Sequence, residues 1–412
     1  MRFHPPEIPY TAELRWVLGR AFGPTAEAAP NSTAIPPPTG GTPVDLAERL
    51  GLASRIAARH PRRVLSEALG ADASRLLVAR AHSAAIGLMF ERTAEQIRTV
   101  AENLELKAIF LKGFALALGG YVESGERPSG DLDLLVAEDR AEALFEALVD
   151  AGFRSSEVLP NAQHLPPLLT PEFSSVAGRR SGGSVDLHFR LRGVEVRSGQ
   201  WATADELVAD GLVDDLATGW SIPNRDLLLA HALTHGLEQH GDRPDSYPLL
   251  RLIVDIATLT PTGESPTSAV ERVLPLCPAV EREEGRGAAE LTETLARGAL
   301  PAAGGTADLL LRHFLAGVLV EGYGSERRAA HLRGRLGDAR RRGELVGHVR
   351  RKLWLNEREL ILRHGPPRHR WSFWGWRLRR PFDILWSLLR GGRQGQTAPP
   401  ADCEKKTARA DS

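Results

Sequence analysis

Cysteine is scarce in this sequence, with only Cys277 and Cys403 among 412 residues. Two thiols are too few for a disulfide framework or for a metal site built from several cysteines, and their scarcity favours the reducing cytoplasm. No apolar run approaches the roughly 20 residues that a membrane helix needs. Residues 1–20 also lack the charged and then apolar pattern of a secretion signal. We therefore predict a cytoplasmic protein without a transmembrane segment.

Lysine is also rare, since five lysines stand against a large excess of arginine. A lysine inside a motif, such as Lys112, is therefore harder to explain as a surface residue. The chain as a whole is neutral, with 52 Lys and Arg and 52 Asp and Glu. This balance conceals a basic C-terminal region, because residues 326–390 contain eighteen Lys and Arg but only six Asp and Glu.

Two aspartates separated by one residue are the strongest chemical signal that is present. Residues 131–136 are predicted to form a strand, and strand side chains alternate, so Asp131 and Asp133 project from one face. Two carboxylates placed in this way repel each other unless a cation lies near them. Mg²⁺ is bound in proteins through one or two carboxylates together with substrate phosphates. The pair therefore predicts a Mg²⁺ site.

A lysine and a glycine precede this acidic strand. Residues 107–111 are predicted to form a buried strand that ends at Lys112 and Gly113, and residues 114–120 are compatible with a helix. Gly113 would allow a sharp turn and expose backbone N–H groups at the start of that helix, where anions bind. Lys112 adds a positive charge, and Arg127 in the following polar turn can form a fork with a phosphate. The pattern predicts a phosphate site beside the acids.

A third acid lies in a second alternating segment, residues 184–191. Asp186, His188 and Arg190 share one face of the predicted strand, while apolar residues occupy the other face. The polar face can complete a metal site with Asp186 and contact substrate with His188. We therefore expect Asp131, Asp133 and Asp186 to converge in space.

Three segments together resemble a known family. They are Leu111-Lys112-Gly113, Arg127 with residues 129–136, and residues 185–188. They resemble the bacterial nucleotidyltransferase family proteins of the DNA polymerase beta-like nucleotidyltransferase superfamily, over roughly residues 45–260. The resemblance implies that Gly113 holds the triphosphate, that Asp131 and Asp133 bind metal, and that Asp186 is the third carboxylate. The superfamily usually has a Gly-Ser or Gly-Gly pair at the turn, whereas here Lys112 and Phe114 flank a single glycine.

The sequence and the resemblance together predict a Mg²⁺-dependent nucleotidyltransferase that moves a nucleoside monophosphate from an NTP, expected to be ATP, to an acceptor that the sequence does not identify. Asp131, Asp133 and Asp186 are the predicted catalytic and metal-binding residues of a two-Mg²⁺ site. The predicted nucleotide-binding residues are Lys112, Gly113, Arg127, Ser129 and His188. The alternative is a catalytically inactive scaffold of the same fold that binds a nucleotide or a protein.

The predicted fold class is α+β, with a small mixed-sheet nucleotidyltransferase core flanked by N-terminal and C-terminal helical units. Six segments follow from composition and patterning. They are a flexible N-terminal segment and linker (1–42), a helical unit (43–105), the catalytic core (106–215), a C-terminal helical domain (216–345), a basic Trp/Arg-rich amphipathic segment (346–393) and a disordered tail (394–412).

Two further features lie after the core. A helix predicted to begin at Pro223 or Asn224 carries His231 and His235, whose spacing of four places both on one face. The glutamate of the zinc metalloprotease motif is absent, so we expect these histidines to pack against the core near Asp255, with nucleotide contact as a further role, rather than to bind zinc. The basic segment combines arginine with five of the eight tryptophans. This composition suits binding to the rest of the protein, which carries the compensating negative charge, to an anionic membrane surface or to nucleic acid.

Overall fold

A computed structural model describes residues 5–24, 42–155, 165, 168–169, 184–197, 199–240, 250–320 and 323. The chain divides into two compact units, residues 1–318 and 319–412. Nearly all described residues belong to the first unit. The predicted basic segment (346–393) and tail (394–412) lie outside the described residues, so their assignment stays a prediction.

Among the described residues, five helices precede the sheet. They are α1 (Ala12–Phe22), α2 (Pro43–Arg49), α3 (Ala53–Arg59), α4 (Arg62–Leu69) and α5 (Ala73–Asn103). Helix α1 falls within the segment that was predicted to be flexible. Its N-terminus is capped by Thr11, whose hydroxyl accepts from the Leu14 N–H at 3.3 Å, and its apolar face buries Trp16 and Val17 completely. The N-terminal cap and the apolar face together explain why these residues form a helix. The prediction missed it because the linker-like composition of residues 22–42 was extended to the residues before them.

The core is a seven-stranded mixed sheet in the order β3-β4-β5-β2-β1-β7-β6. The strands are β1 (Ile109–Phe110), β2 (Asp131–Leu135), β3 (Arg154–Ser155), β4 (Leu168–Leu169), β5 (Ser184–His188), β6 (Val213–Asp215) and β7 (Ser221–Pro223). Helices α6 (Lys112–Leu118), α7 (Ala141–Asp150) and α8 (Ala204–Ala209) connect them. The predicted strand over residues 184–191 ends earlier, at His188, so Arg190 lies beyond it and pairs with Glu138 at the surface.

Helix α7 shows how apolar spacing positions an element against the sheet. Ala141, Leu144, Phe145 and Leu148 recur at the spacing of one helix face, and all four are buried. The helix ends at Asp150, and Gly152 then adopts a left-handed conformation with φ 99°, which glycine adopts without strain. The apolar face of β5, Val185 and Leu187, is completely buried.

In the described part of the chain, five helices follow the sheet. They are α9 (Arg225–Leu233), which continues into a π-helical turn (Thr234–Gln239), then α10 (Leu250–Leu259), α11 (Pro266–Val273), α12 (Arg282–Ala296) and α13 (Thr306–Leu319). Asn224 caps α9 by accepting from the Leu227 N–H at 2.9 Å. None of the described helices combines the length and the apolar character that a membrane crossing requires. The prediction of an α+β fold with a small mixed sheet between helical units is confirmed.

Candidate active site

The site forms where β2 and β5 lie side by side. These strands pair in parallel, and their register places Asp133 opposite Asp186 and Leu135 opposite His188. Because both strands are alternating and in register, their polar side chains face the same way. Ligand atoms of Asp133, Asp186 and His188 lie within 4.8 Å of one another. The predicted convergence therefore holds for Asp133 and Asp186, which are 53 positions apart in the sequence.

Asp131 stands at the edge of this group. It shares a face of β2 with Asp133, but it is not one of the three residues whose ligand atoms lie within 4.8 Å. The Ser129 hydroxyl donates to the backbone carbonyl of Asp131 at 3.0 Å. This contact fixes the backbone at the start of β2, so the structure gives Ser129 a positioning contact at the site.

Lys112 lies among the acids. Its Nζ is 2.6 Å from Oδ1 of Asp133, and the same oxygen accepts from Nε2 of His188 at 2.9 Å. The Asp133 side chain is only 1% exposed, whereas Lys112 is 22% exposed. The lysine therefore bridges a buried carboxylate and the more open side of the site.

The sharp turn at the start of α6 falls at Lys112. The sequence-based prediction that Gly113 makes this turn is therefore wrong. Lys112 has a φ of 51°, in the left-handed region, where a non-glycine residue carries strain of about 1–3 kcal/mol. Glycine is required at position 113 for a different reason, because there is no room for a side chain. A Cβ at this position would overlap Nη1 of Arg127 and lie 3.1 Å from the Ser129 hydroxyl.

Arg127 is held in place by a helix that lies far away in the sequence. Its Nε and Nη2 donate to the two carboxylate oxygens of Asp255 on α10 at 2.6 and 2.8 Å. The side chains are only 7% and 4% exposed. A buried bidentate pair of this kind fixes the guanidinium plane, so Asp255 orients Arg127 over Gly113.

Opposing charges set the protonation of the acids. Burial acts to raise the pKa of Asp133, but the charge of Lys112 and the hydrogen bond from His188 outweigh it and hold that pKa well below its usual range. Burial, followed by the charges of Asp133 and Asp131, raises the pKa of Asp186 to about 6. Burial also acts to lower the pKa of Lys112, yet Asp133 and then Asp131 raise it to about 12. The lysine is therefore a permanent cation at neutral pH.

The histidine helix faces the same site from the other side. His231 and His235 stack with ring centroids 6.1 Å apart and, with Lys112, Arg127 and Asp255, they line one small pocket. Burial, followed by the charge of Lys112, lowers the pKa of His231 to about 3. Both histidines are thus packing residues near Asp255, as the sequence predicted, and among the described residues they belong to no group with metal-ligand geometry.

Two contributors to the site were not predicted from the sequence. Nothing near Arg127 in the chain indicates its pairing with Asp255, although a single acid inside the apolar helix α10 is an unusual residue. The left-handed backbone at Lys112 has no sequence signal at all, because lysine is not a residue that favours this conformation.

The sequence model of a family described as uncharacterised nucleotidyltransferase matches residues 42–274, more than half of the chain. The chain therefore belongs to this nucleotidyltransferase family, which confirms that the resemblance to nucleotidyltransferases seen in the sequence is correct. The match runs from the start of α2 to the end of α11 and includes all residues of the site. Searches of curated proteins and of solved structures gave no match.

Proposed function

We propose that this protein transfers a nucleoside monophosphate from an NTP to an acceptor hydroxyl and releases pyrophosphate. The observation that carries the proposal is the group formed by Asp133, Asp186 and His188 on two parallel strands, in a chain that belongs to a nucleotidyltransferase family. Lys112 and Arg127 lie next to this group and supply positive charge for phosphate oxygens.

The residues of the site fit a divalent cation. Oδ1 of Asp186 is buried and has no hydrogen-bond partner, so one carboxylate oxygen is available as a ligand. Two or three carboxylates beside a phosphate site are a donor set that suits Mg²⁺. We propose that Asp131, Asp133 and Asp186 hold two Mg²⁺ ions, which would polarise the phosphoryl oxygens when bound. His188 would orient Asp133 through its hydrogen bond.

The proposed reaction is a single displacement at the α-phosphorus. The acceptor oxygen forms a bond to the α-phosphorus, the bond from that phosphorus to the bridging α,β-oxygen breaks, and the electron pair leaves with pyrophosphate. The hydroxyl proton passes to the carboxylate of Asp186. Lys112, Gly113 and Arg127 would align the triphosphate so that the leaving oxygen lies opposite the attacking oxygen.

Release of pyrophosphate from each of the four NTPs, ATP first, tests this function. Purified protein would be incubated with Mg²⁺, an α-labelled NTP and a panel of hydroxyl acceptors that includes proteins, sugars and RNA. Labelled acceptor and stoichiometric pyrophosphate are expected with at least one combination. Nucleotide binding without any transfer to the panel would instead favour the inactive scaffold, and absence of both binding and transfer would contradict the proposal.

The close approach at Gly113 gives a prediction about stability. In Gly113→Ala the new methyl group overlaps Arg127, whose guanidinium cannot move freely because Asp255 holds it. We expect the free energy of unfolding to fall by about 1–3 kcal/mol, as in other overpacked sites, and NTP affinity to fall with it. Urea denaturation and nucleotide titration measure the two effects.

Gly87→Ala is the matched control for this substitution. Gly87 lies inside helix α5, and a Cβ there meets no atom within 4 Å. Alanine inside a helix is more favourable than glycine by roughly 0.5–1 kcal/mol. The two variants are therefore expected to change stability in opposite directions, and a neutral or stabilising Gly113→Ala would show that Arg127 is not fixed at the turn.

A further inference from the structure

The ammonium group of Lys112 lies against one of the acids that are proposed to hold the metal ion. Nζ contacts Oδ1 of Asp133 at 2.6 Å, and Asp133 is also one of the three residues that form the metal-ligand group. The positive charge of Lys112 further interacts with Asp131 and Asp186. The lysine thus partly neutralises the negative charge of the three carboxylates from a position inside the site.

An ammonium and a divalent cation cannot share this oxygen without strong repulsion. Like charges a few atoms apart repel strongly in a partly buried site, and the double charge of the ion doubles that repulsion. Binding of the ion at Asp133 therefore favours departure of Lys112. The lysine also lines the pocket that contains Arg127, so its side chain already borders the side where the triphosphate is proposed to lie.

The backbone of Lys112 supports a specific role for its side chain. Only two non-glycine residues among those described have a positive φ, Glu105 and Lys112, and glycine would adopt this conformation without strain. A lysine at such a position is retained only where surrounding contacts determine it. The contact that determines it here is the ion pair with the buried Asp133.

We propose that Lys112 is an internal counter-ion that holds the acid cluster until metal and nucleotide arrive, and that its ammonium then transfers from Asp133 to the triphosphate. The inference rests on the proposed nucleotidyltransferase function. It predicts that the metal ion alone binds weakly, because it must displace the lysine, and that metal and nucleotide bind cooperatively, because the displaced ammonium gains a phosphate partner.

The first arm of the test is metal binding without nucleotide. Mn²⁺ would be titrated by calorimetry into wild-type protein and into Lys112→Met. The variant lacks the competing charge, so its affinity for Mn²⁺ is expected to be higher by roughly 5–150-fold, the usual range of coupling between two sites. Equal affinities would overturn the proposal, since they would show that the ammonium does not compete for the acids.

The second arm is nucleotide binding with and without metal. A non-hydrolysable ATP analogue would be titrated into both proteins, in Mg²⁺ and in EDTA. In Mg²⁺, Lys112→Met is expected to bind the analogue about 5–150-fold more weakly than the wild type. In EDTA the two proteins are expected to bind it equally, because the wild-type lysine then stays on Asp133 and does not contact the nucleotide. A loss of equal size under both conditions would mean that Lys112 is always directed at the phosphate, and no loss in Mg²⁺ would mean that it never transfers. Either result overturns the proposal.

Two further variants keep the test decisive. Lys112→Gly removes the ammonium and also relieves the left-handed backbone, so it should fold even if Lys112→Met does not, and it is expected to bind Mn²⁺ as tightly as Lys112→Met. Lys107→Met is the matched control, because Lys107 pairs with the exposed Asp215 outside the site. Its affinities for Mn²⁺ and nucleotide are expected to equal those of the wild type.

Failure of this inference is distinguishable from failure of the proposed function. If wild-type protein binds neither Mn²⁺ nor the analogue, singly or together, the nucleotidyltransferase function fails and the counter-ion role fails with it. If wild-type protein binds both, but Lys112→Met leaves the Mn²⁺ affinity unchanged, only the counter-ion role is overturned.

Discussion

Asp133→Asn is expected to lower the rate of nucleotidyl transfer by on the order of a thousandfold. An ion that polarises phosphoryl oxygens contributes several kcal/mol of transition-state stabilisation, and asparagine removes the carboxylate at the centre of the site with little change in volume. Lys112 and His188 both contact the carboxylate whose charge is removed. Single-turnover release of pyrophosphate at saturating NTP measures the loss.

The same variant is also expected to be less stable than the wild type. The buried ammonium of Lys112 loses its nearest negative charge, and removing one partner of a buried hydrogen-bonded charge costs about 1–3 kcal/mol. Asp214→Asn is the control, because Asp214 lies exposed on the edge strand β6. Wild-type turnover by a correctly folded Asp133→Asn protein would disprove the metal-site assignment.

Arg127→Met is expected to reduce the free energy of unfolding by about 3–5 kcal/mol. The substitution leaves the carboxylate of Asp255 buried without its partner, and such a charge is strongly destabilising. In the double variant Arg127→Met with Asp255→Leu both charges are gone, so most of this stability should return. Urea denaturation of the wild type, the two single variants and the double variant completes a double-mutant cycle.

Arg272, which forms ion pairs with Asp226 and Glu264, is the control for this cycle. The side chains of Arg272 and Asp226 are 40% and 38% exposed, and pairs at the surface contribute about 0–1 kcal/mol. Arg272→Met is therefore expected to have a small effect. Should the double variant at Arg127 and Asp255 remain as unstable as the single variants, the pair would not be the source of the stabilisation.

Activity of the double variant should stay low, because Arg127 is proposed to contact the triphosphate.

Much of the fold could be predicted because its signals are local. Alternating residues predicted β2 and β5, and the apolar spacing of residues 141–148 is typical of a helix with one buried face, as in α7. The identities of Asp131, Asp133 and Asp186 were predicted in the same way. The shared strand faces predicted the convergence that the structure shows for Asp133 and Asp186, but no local signal in the sequence determines that β2 and β5 pair side by side.

The remaining features of the site depend on contacts between distant parts of the chain. Arg127 and Asp255 are 128 residues apart, and no periodicity links a turn to a helix that follows the core. The position of the Lys112 ammonium depends on a left-handed backbone and on the balance among several charges. Sequence reasoning assigned Lys112 to phosphate, whereas the structure places it on Asp133.

The parallel register of β2 and β5 has a consequence for the accuracy of folding. A shift of β5 by one residue would turn Asp186 and His188 into the apolar layer and bring Val185 and Leu187 into the polar cleft. An unpaired carboxylate in an apolar layer costs several kcal/mol, so the misaligned pairing is strongly disfavoured. The residues proposed to perform the chemistry thus also disfavour a strand alignment that is shifted by one residue.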